Sequence, residues 1–223
     1  MTKMVPQLFS GFMADVVTGF ASHGAGTISA VGGVAIQKLM ERRLNDARDI
    51  LMDEMRSGDL SLSTARDFGD SVAIGLRYAR AAQEGAARLN LRLLAQVISG
   101  QAHLGNLVAD EFLYWSDILA SLRREEVILI ATLHQCIERI DSGDERGVII
   151  QEPNTWKCAR EKLVPLLFES EELMRSVAGG VTRTGLLVSG RTIDGAETVI
   201  PSPLLDKVLK LCDFEAALEK EGR

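Results

Sequence analysis

The stretch from Ser63 to Ser99 constrains this chain more than any other. Phe68, Val72, Gly75, Ala79, Ala82, Ala86, Leu89, Leu93 and Val97 recur at spacings of three and four, the period of one helical face. That spacing predicts one long central helix. The middle of its stripe is Gly and Ala, so a second helix can approach backbone to backbone. Gly75, Ala79, Ala82 and Ala86 are therefore candidate contact points. Arg77, Arg80, Glu84, Arg88 and Arg92 run across from them, again three or four apart. Two readings of the four arginines stand side by side. They hold an acidic partner helix, anionic lipid or nucleic acid, or they form a solvated face paired with Glu84 and with acids of residues 108–153.

The chain before this helix is poor in charge. Between Val5 and Leu39 only Asp15 and Lys38 are charged, and Val16 to Gln37 is a run of 22 residues without a formal charge. A helix of that length can cross a bilayer, yet the run is diluted by Gly, Ser, Thr and His23, where a spanning helix needs Leu, Ile and Phe. Small residues recur four apart at Ala21, Ala25, Ser29 and Gly33, and at Ser22, Gly26 and Ala30. That is the pattern of close helix contact. Each Gly costs about 1 kcal/mol of helix propensity relative to Ala, so such a helix must recover the loss by packing. Gly19, Gly26 and Gly33 are the candidate contacts. A closely packed helical hairpin, a segment on or in a membrane surface, and a flexible arm all fit this composition.

Strand formers are scarce over the first 140 residues, which predicts a mainly α protein. Ile36, Met40, Leu44, Ala47, Leu51 and Met55 give an amphipathic helix from Ala35 to Arg56, with Glu54 among its polar residues and Ser57-Gly58-Asp59 as its stop. Ser61 or Ser63 is the expected cap of the central helix. Two further helices follow, Val108 to Ala120 with Phe112, Trp115 and Leu119 inward, and Arg123 to Ile140 with Val127, Ile130, Ala131, His134, Ile137 and Ile140 inward. Asn154 or Thr155 is expected to cap a helix that Pro165 ends or kinks. Ser170 opens a short helix to Ala178, stopped by Gly179-Gly180. Asp194-Gly195 between two β-prone runs predicts a hairpin over 186–200. Ser202-Pro203 starts a last helix. The organisation expected is a helical bundle over 1–107 and a second helical region over 108–223 that ends in the hairpin.

The net charge of −6 argues against a general nucleic-acid binder. Charge is uneven, with ten acids and four bases in residues 108–153 against five Arg and three acids in 64–107. Cys136, Cys158 and Cys212 are odd in number and form no C-x-x-C pair. Free buried thiols in a reducing cytoplasm are the expectation.

From about Arg123 to Phe214 the order helix, helix, helix, hairpin, helix resembles a winged helix-turn-helix domain. Glu126-Val127-Ile128-Leu129, Leu173 to Leu187 and the tip Asp194-Gly195 carry the resemblance, and Gly185-Leu186-Leu187 looks like the step from a recognition helix into the wing. It implies DNA contact through Arg175, Arg183 and Arg191. Glu171 and Glu172 on the same helix depart from a DNA-binding version, because phosphate contact wants several Lys or Arg there. The helices marked by Arg88 to Ala95, Phe112, Ile118-Leu119, Leu122, Glu126 and Ile130 resemble uncharacterised bacterial proteins linked to abortive phage infection. That pattern implies helices and no chemistry.

No motif names a reaction. His134 and Cys136 are two apart on one helix and point in different directions, so they cannot share a metal unaided. His23 and His103 have no acid or Cys at ligand spacing. Ser189-Gly190 lacks the strand–turn–helix setting of a nucleophile elbow. Gly24-x-Gly26 and Gly179-Gly180 lack a phosphate-loop Lys. Asp110-Glu111 and Glu125-Glu126 fit helix-terminus electrostatics better than acid–base work. The reading is a non-enzymatic, self-associating helical protein with no cofactor, partnered by itself or another protein and peripheral to a membrane through its start. A winged-helix regulator and an enzyme of unrecognised type are the alternatives.

Overall fold

Apolar periodicity decides where the helices fall. The computed structural model describes residues 30–57, 68–105, 107–141, 152–191 and 197–222. Among them run α1 (Ala30–Ser57), α2 (Phe68–Glu84), α3 (Arg88–His103), α4 (Ala109–Leu119), α5 (Arg124–Asp141), α6 (Glu152–Leu163), α7 (Glu171–Thr182), β1 (Leu187–Arg191), β2 (Glu197–Pro201), α8 (Pro203–Leu209) and α9 (Phe214–Lys220). The protein is mainly α, with a two-stranded antiparallel hairpin near its C-terminus. Gly19, Gly26, Ser61 and Ser63 lie outside the described residues, as do the acidic loop after α5 and the hairpin tip. Gly33 falls in the first turns of α1, where the packing is outside them too. No helix among the described residues is long and apolar enough to cross a membrane.

The chain divides into two compact units, one reaching to Ser121 and including Lys210–Asp213, the other holding the rest. The helix Ala109–Leu119, grouped with the C-terminal half by sequence, thus belongs to the first.

In the first unit, Leu44, Ala47, Leu51 and Met55 of α1 are buried, as the amphipathic spacing predicts. Each large apolar side chain of this kind contributes roughly 1.5–3 kcal/mol when fully buried. Tyr78 donates its buried hydroxyl to the Ala47 carbonyl at 2.9 Å, which pins α2 to α1. Phe112 and Trp115 of α4 are buried in the same core. The segment at 210–213 closes over α3: the Asp213 N–H donates to Gln96 Oε1 at 2.9 Å. A Cβ on Gly100 would come within 2.5 Å of the Leu211 carbonyl oxygen. Only glycine allows that approach.

The central helix is two helices. Gly85 takes φ +96, a left-handed conformation that stops the helix after Glu84. Arg43 caps the break from α1 by donating to the Gln83 carbonyl at 3.1 Å. The stripe still faces inward on both pieces: Gly75, Ala79 and Ala82 are buried, Ala86 half-buried, and Leu89, Leu93 and Val97 buried.

In the second unit, Val127, Ile130 and Ala131 of α5 are buried, with Leu129 and Leu133 beside them, while His134 and Ile137 are half-buried. Cys136 is joined to Cys158 of α6 in a disulfide across 22 residues. The expectation of three free thiols is overturned for two of them, and with it the thiol argument for a reducing compartment. Cys212, in the first unit, is free and buried, and burial pushes its thiol well up from the usual range. Asn154 and Thr155 lie inside α6 rather than capping it, and the helix ends at Leu163, just before the Val164–Pro165 peptide. Ser170 caps α7 as expected, accepting from the Leu173 N–H at 3.3 Å. Yet α7 runs through Gly179-Gly180 to Thr182.

In the hairpin Leu187 stands opposite Pro201 and Gly190 opposite Thr198. Ser202 fastens its base. It donates Oγ to the Gly185 carbonyl at 2.5 Å, accepts from the Leu204 N–H at 3.1 Å and starts α8. The second C-terminal helix, α9, was not legible in the sequence.

Candidate functional site

The arginine row does not form one face. On the two helices either side of the break at Gly85 the arginines meet different surroundings. Arg77 donates Nε to Ser116 Oγ at 2.9 Å and Nη2 to Asp117 Oδ1 at 2.6 Å. Arg80 meets Glu84 at 2.8 Å on the surface. Arg88 is exposed. Arg92 is buried, its side chain 7% exposed, and donates to Glu54 Oε1 at 2.6 Å and Asp53 Oδ2 at 2.7 Å. Glu54, placed on the wet side by its spacing, is itself 6% exposed. A buried guanidinium draws a carboxylate in with it, since either charge alone is costly to bury. The pairing with Glu84 and Asp117 follows the solvated-face reading; Arg92 departs from it.

The three arginines assigned to the wing divide in the same way. Glu126 of α5 is fully buried. Its Oε1 accepts from Arg183 Nη1 at 2.6 Å, and its Oε2 from Arg183 Nη2 at 3.2 Å and the Arg123 N–H at 2.8 Å. The last bond is half of a capping box, with the third helical residue holding the cap's N–H. Burial pushes this carboxyl up, but the Arg183 and Arg123 bonds and charges outweigh it, so the group sits below its ordinary value. A Cβ on Gly180 would lie 2.8 Å from Glu126 Oε1. The second glycine of the pair keeps room for the buried carboxylate and is not a helix stop.

Arg175 lies on another side of α7. It donates Nε and Nη2 to Glu171 Oε1 at 3.1 and 2.6 Å, and its guanidinium stands 5.2 Å from the Trp156 ring centre. Glu171 also accepts from Arg160 at 3.0 Å and from Trp156 Nε1 at 3.2 Å. The Arg160 bond, then Arg175, hold its carboxyl at about 2. Arg191 sits at the end of β1, with its side chain outside the described residues.

Arg175, Gly179 and Thr182 of α7 form one wall of a groove whose cavity is about 480 Å³. The hairpin supplies the other wall, through Ser189, Gly190, Thr198 and Val199. Thr182 Oγ1 donates to the Gly179 carbonyl at 2.7 Å. Thr198 is 95% buried, as its 5% exposure shows, and its hydroxyl has no hydrogen-bond partner among the described residues. The sequence drew attention to Ser189-Gly190 and Gly179-Gly180 separately; nothing in their spacing says that they share one groove. No cluster of His, Cys, Asp and Glu that could hold a metal ion occurs among the described residues. Comparison with known protein families, with characterised proteins and with solved structures finds no match to this chain.

Proposed function

We propose that this is a non-enzymatic helical interaction protein that associates with a second copy of itself through the N-terminal end of α1. One observation carries the reading. The apolar stripe of α1 is buried from Leu44 to Met55, then runs on through Met40, half-buried, to Ile36, 44% exposed, with Leu39, 49% exposed, at its flank among the described residues. A stripe that continues past its own core fits a partner helix of like kind. Gly75, Ala79 and Ala82 are buried within their own unit, so the contact between copies is assigned to α1 and not to them.

The charged groups support the same reading. Arg77, Arg92 and Arg183 hold carboxylates of their own unit, which stabilises the fold instead of presenting a site. Recognition of DNA through the hairpin unit would ask Arg183 to leave Glu126, a fully buried carboxylate that would then keep only its bonds from Arg123.

The test is sedimentation of the whole chain, with Ile36→Glu and Leu39→Glu together as the variant. Both positions are exposed, so the fold tolerates the charges. The expected outcome is a dimer or larger species that the double variant reduces to monomer. Flotation with anionic vesicles is the second arm, and loss of flotation on deleting residues 1–34 would mark the glycine-rich start as the lipid contact. A strict monomer, unchanged by lipid, overturns the reading.

A further inference from the structure

We propose, on the reading that copies of this chain associate through α1, that the uncovered end of that helix docks on the outer face of α4 in a second copy. The two surfaces are opposite in charge and alike in apolar content.

The helix α4 carries apolar residues on both sides. Phe112, Trp115 and Leu119 are buried in its own core. Facing away from them, Leu113 is 36% and Tyr114 47% exposed. Asp110 and Asp117 each stand three or four residues from both, so the four share one face. An acid thus lies one turn before the apolar pair and another one turn after it, and Glu111 is exposed at the edge. Asp117 accepts from Arg77 at 2.6 Å but keeps 74% of its side chain in water. The Tyr114 ring meets Trp115 edge-on, with ring centres 5.0 Å apart, so little ordering is left for a partner to impose. Tyrosine placed in this way is a common anchor of interfaces. Such a face suits a helix whose apolar residues are bordered by cations, and it repels anionic lipid and nucleic acid.

The end of α1 is a helix of that kind. Ile36 and Leu39 are exposed within one turn. Lys38 and Arg42, also exposed and one turn apart, border them on the Leu39 side. Glu41 falls on the other edge, where Gln37 Nε2 donates to it at 3.0 Å. The first six residues of the helix, Ala30 to Ala35, bring no charge. An apolar pair with cations beside it therefore matches an apolar pair with acids beside it, and an Arg or Lys arriving at Tyr114 meets its ring as well as the carboxylates. Both helices belong to the first unit. Because two different faces meet, the contact is heterologous, and a copy that has lost one face still offers the other.

The experiment is sedimentation of the full chain with two charge-reversed variants. One is Asp110→Lys with Glu111→Lys on α4, the other Lys38→Glu with Arg42→Glu on α1. Each alone is expected to weaken self-association about ten-fold or more. Mixed in equal amounts they are expected to regain it, because contacts between unlike copies then pair opposite charges in both directions. Raising NaCl from about 50 to about 500 mM is expected to weaken the unaltered protein's association about ten-fold. A second measurement does not depend on how well a reversed helix folds. Leu39→Cys and Tyr114→Cys are mixed and treated with a short bis-maleimide; the native free thiol, Cys212, is buried. The mixture is expected to give a cross-linked pair that neither variant gives alone. Unaltered association of the α4 variant, no recovery on mixing, indifference to salt, or cross-linking of Leu39→Cys to itself and not to Tyr114→Cys each overturns the docking while leaving association through α1 in place. A monomeric unaltered chain overturns both.

Discussion

Among the described residues each unit of this protein buries one carboxylate against arginine, and the two do it differently. In the first, cation and anion are both inside: Arg92 and Glu54 are 7% and 6% exposed. In the second, the anion alone is inside. Glu126 is 0% exposed, while Arg183 is 45% exposed and reaches in from solvent. When one member of an enclosed pair is lost, the other stays where water compensates it poorly. A carboxylate met from the surface keeps other donors, here the Arg123 N–H at 2.8 Å. The first arrangement is brittle and the second redundant.

The largest effect expected is on the brittle side. Arg92→Met removes the 2.6 Å partner of the buried Glu54, and breaking a buried pair of this kind costs about 3–5 kcal/mol of the first unit's stability. Adding Glu54→Gln should return a good part, which a double-mutant cycle by urea denaturation would measure. If the double variant is no better than Arg92→Met, the pair is not the unit's weak point and the contrast collapses.

Reduction of Cys136–Cys158 sharpens the comparison from the other side. The cross-link spans 22 residues, so its loss should cost the second unit about 3 kcal/mol by the chain-entropy model. The first unit holds no disulfide among its described residues, so its transition should not move. Arg183→Met should cost the second unit only about 1–3 kcal/mol, clearly less than Arg92→Met costs the first. An equal loss would refute the redundancy.

Acid acts on the second unit through Glu171. Its carboxyl is lowered from 4.5 to about 2 in the fold. The stability it contributes is therefore complete above 4.5 and fades as pH falls toward 2. Glu126, also lowered, adds in the same direction. Arg160→Met removes the largest cause of the Glu171 shift and should flatten this acid dependence, read as denaturation midpoints from about pH 6 downward. Two glycines are expected to respond with opposite signs. Gly100→Ala meets the Leu211 backbone and should cost about 1–3 kcal/mol. Gly179→Ala meets nothing and should gain roughly 0.5–1 kcal/mol.

These contrasts also show what a sequence can carry. The helix faces were legible because Leu44, Ala47, Leu51 and Met55, or Val127, Ile130 and Ala131, obey a period that local geometry imposes. The hairpin and the starts at Ser170 and Ser202-Pro203 were legible because turn and cap chemistry is local too. What failed was non-local. Gly85 sits among strong helix formers, and only the Arg43 side chain arriving from α1 marks the break. Glu54 reads as a surface residue until Arg92 is known to face it. Gly180 reads as a stop until Glu126 is known to need the space. Cys136 and Cys158 have no spacing that names them as partners. The groove belongs to the same class, because its two walls come from residues that a linear scan judges one motif at a time.

The two tryptophans of the chain fall one to each unit. Trp115 lies 2% exposed in the first and Trp156 5% exposed in the second. Each half thus carries its own optical reporter, already shielded from water when native. Replacing either indole by phenylalanine leaves an emission signal that belongs to one half alone, so the melting of the two can be watched separately in a single intact polypeptide.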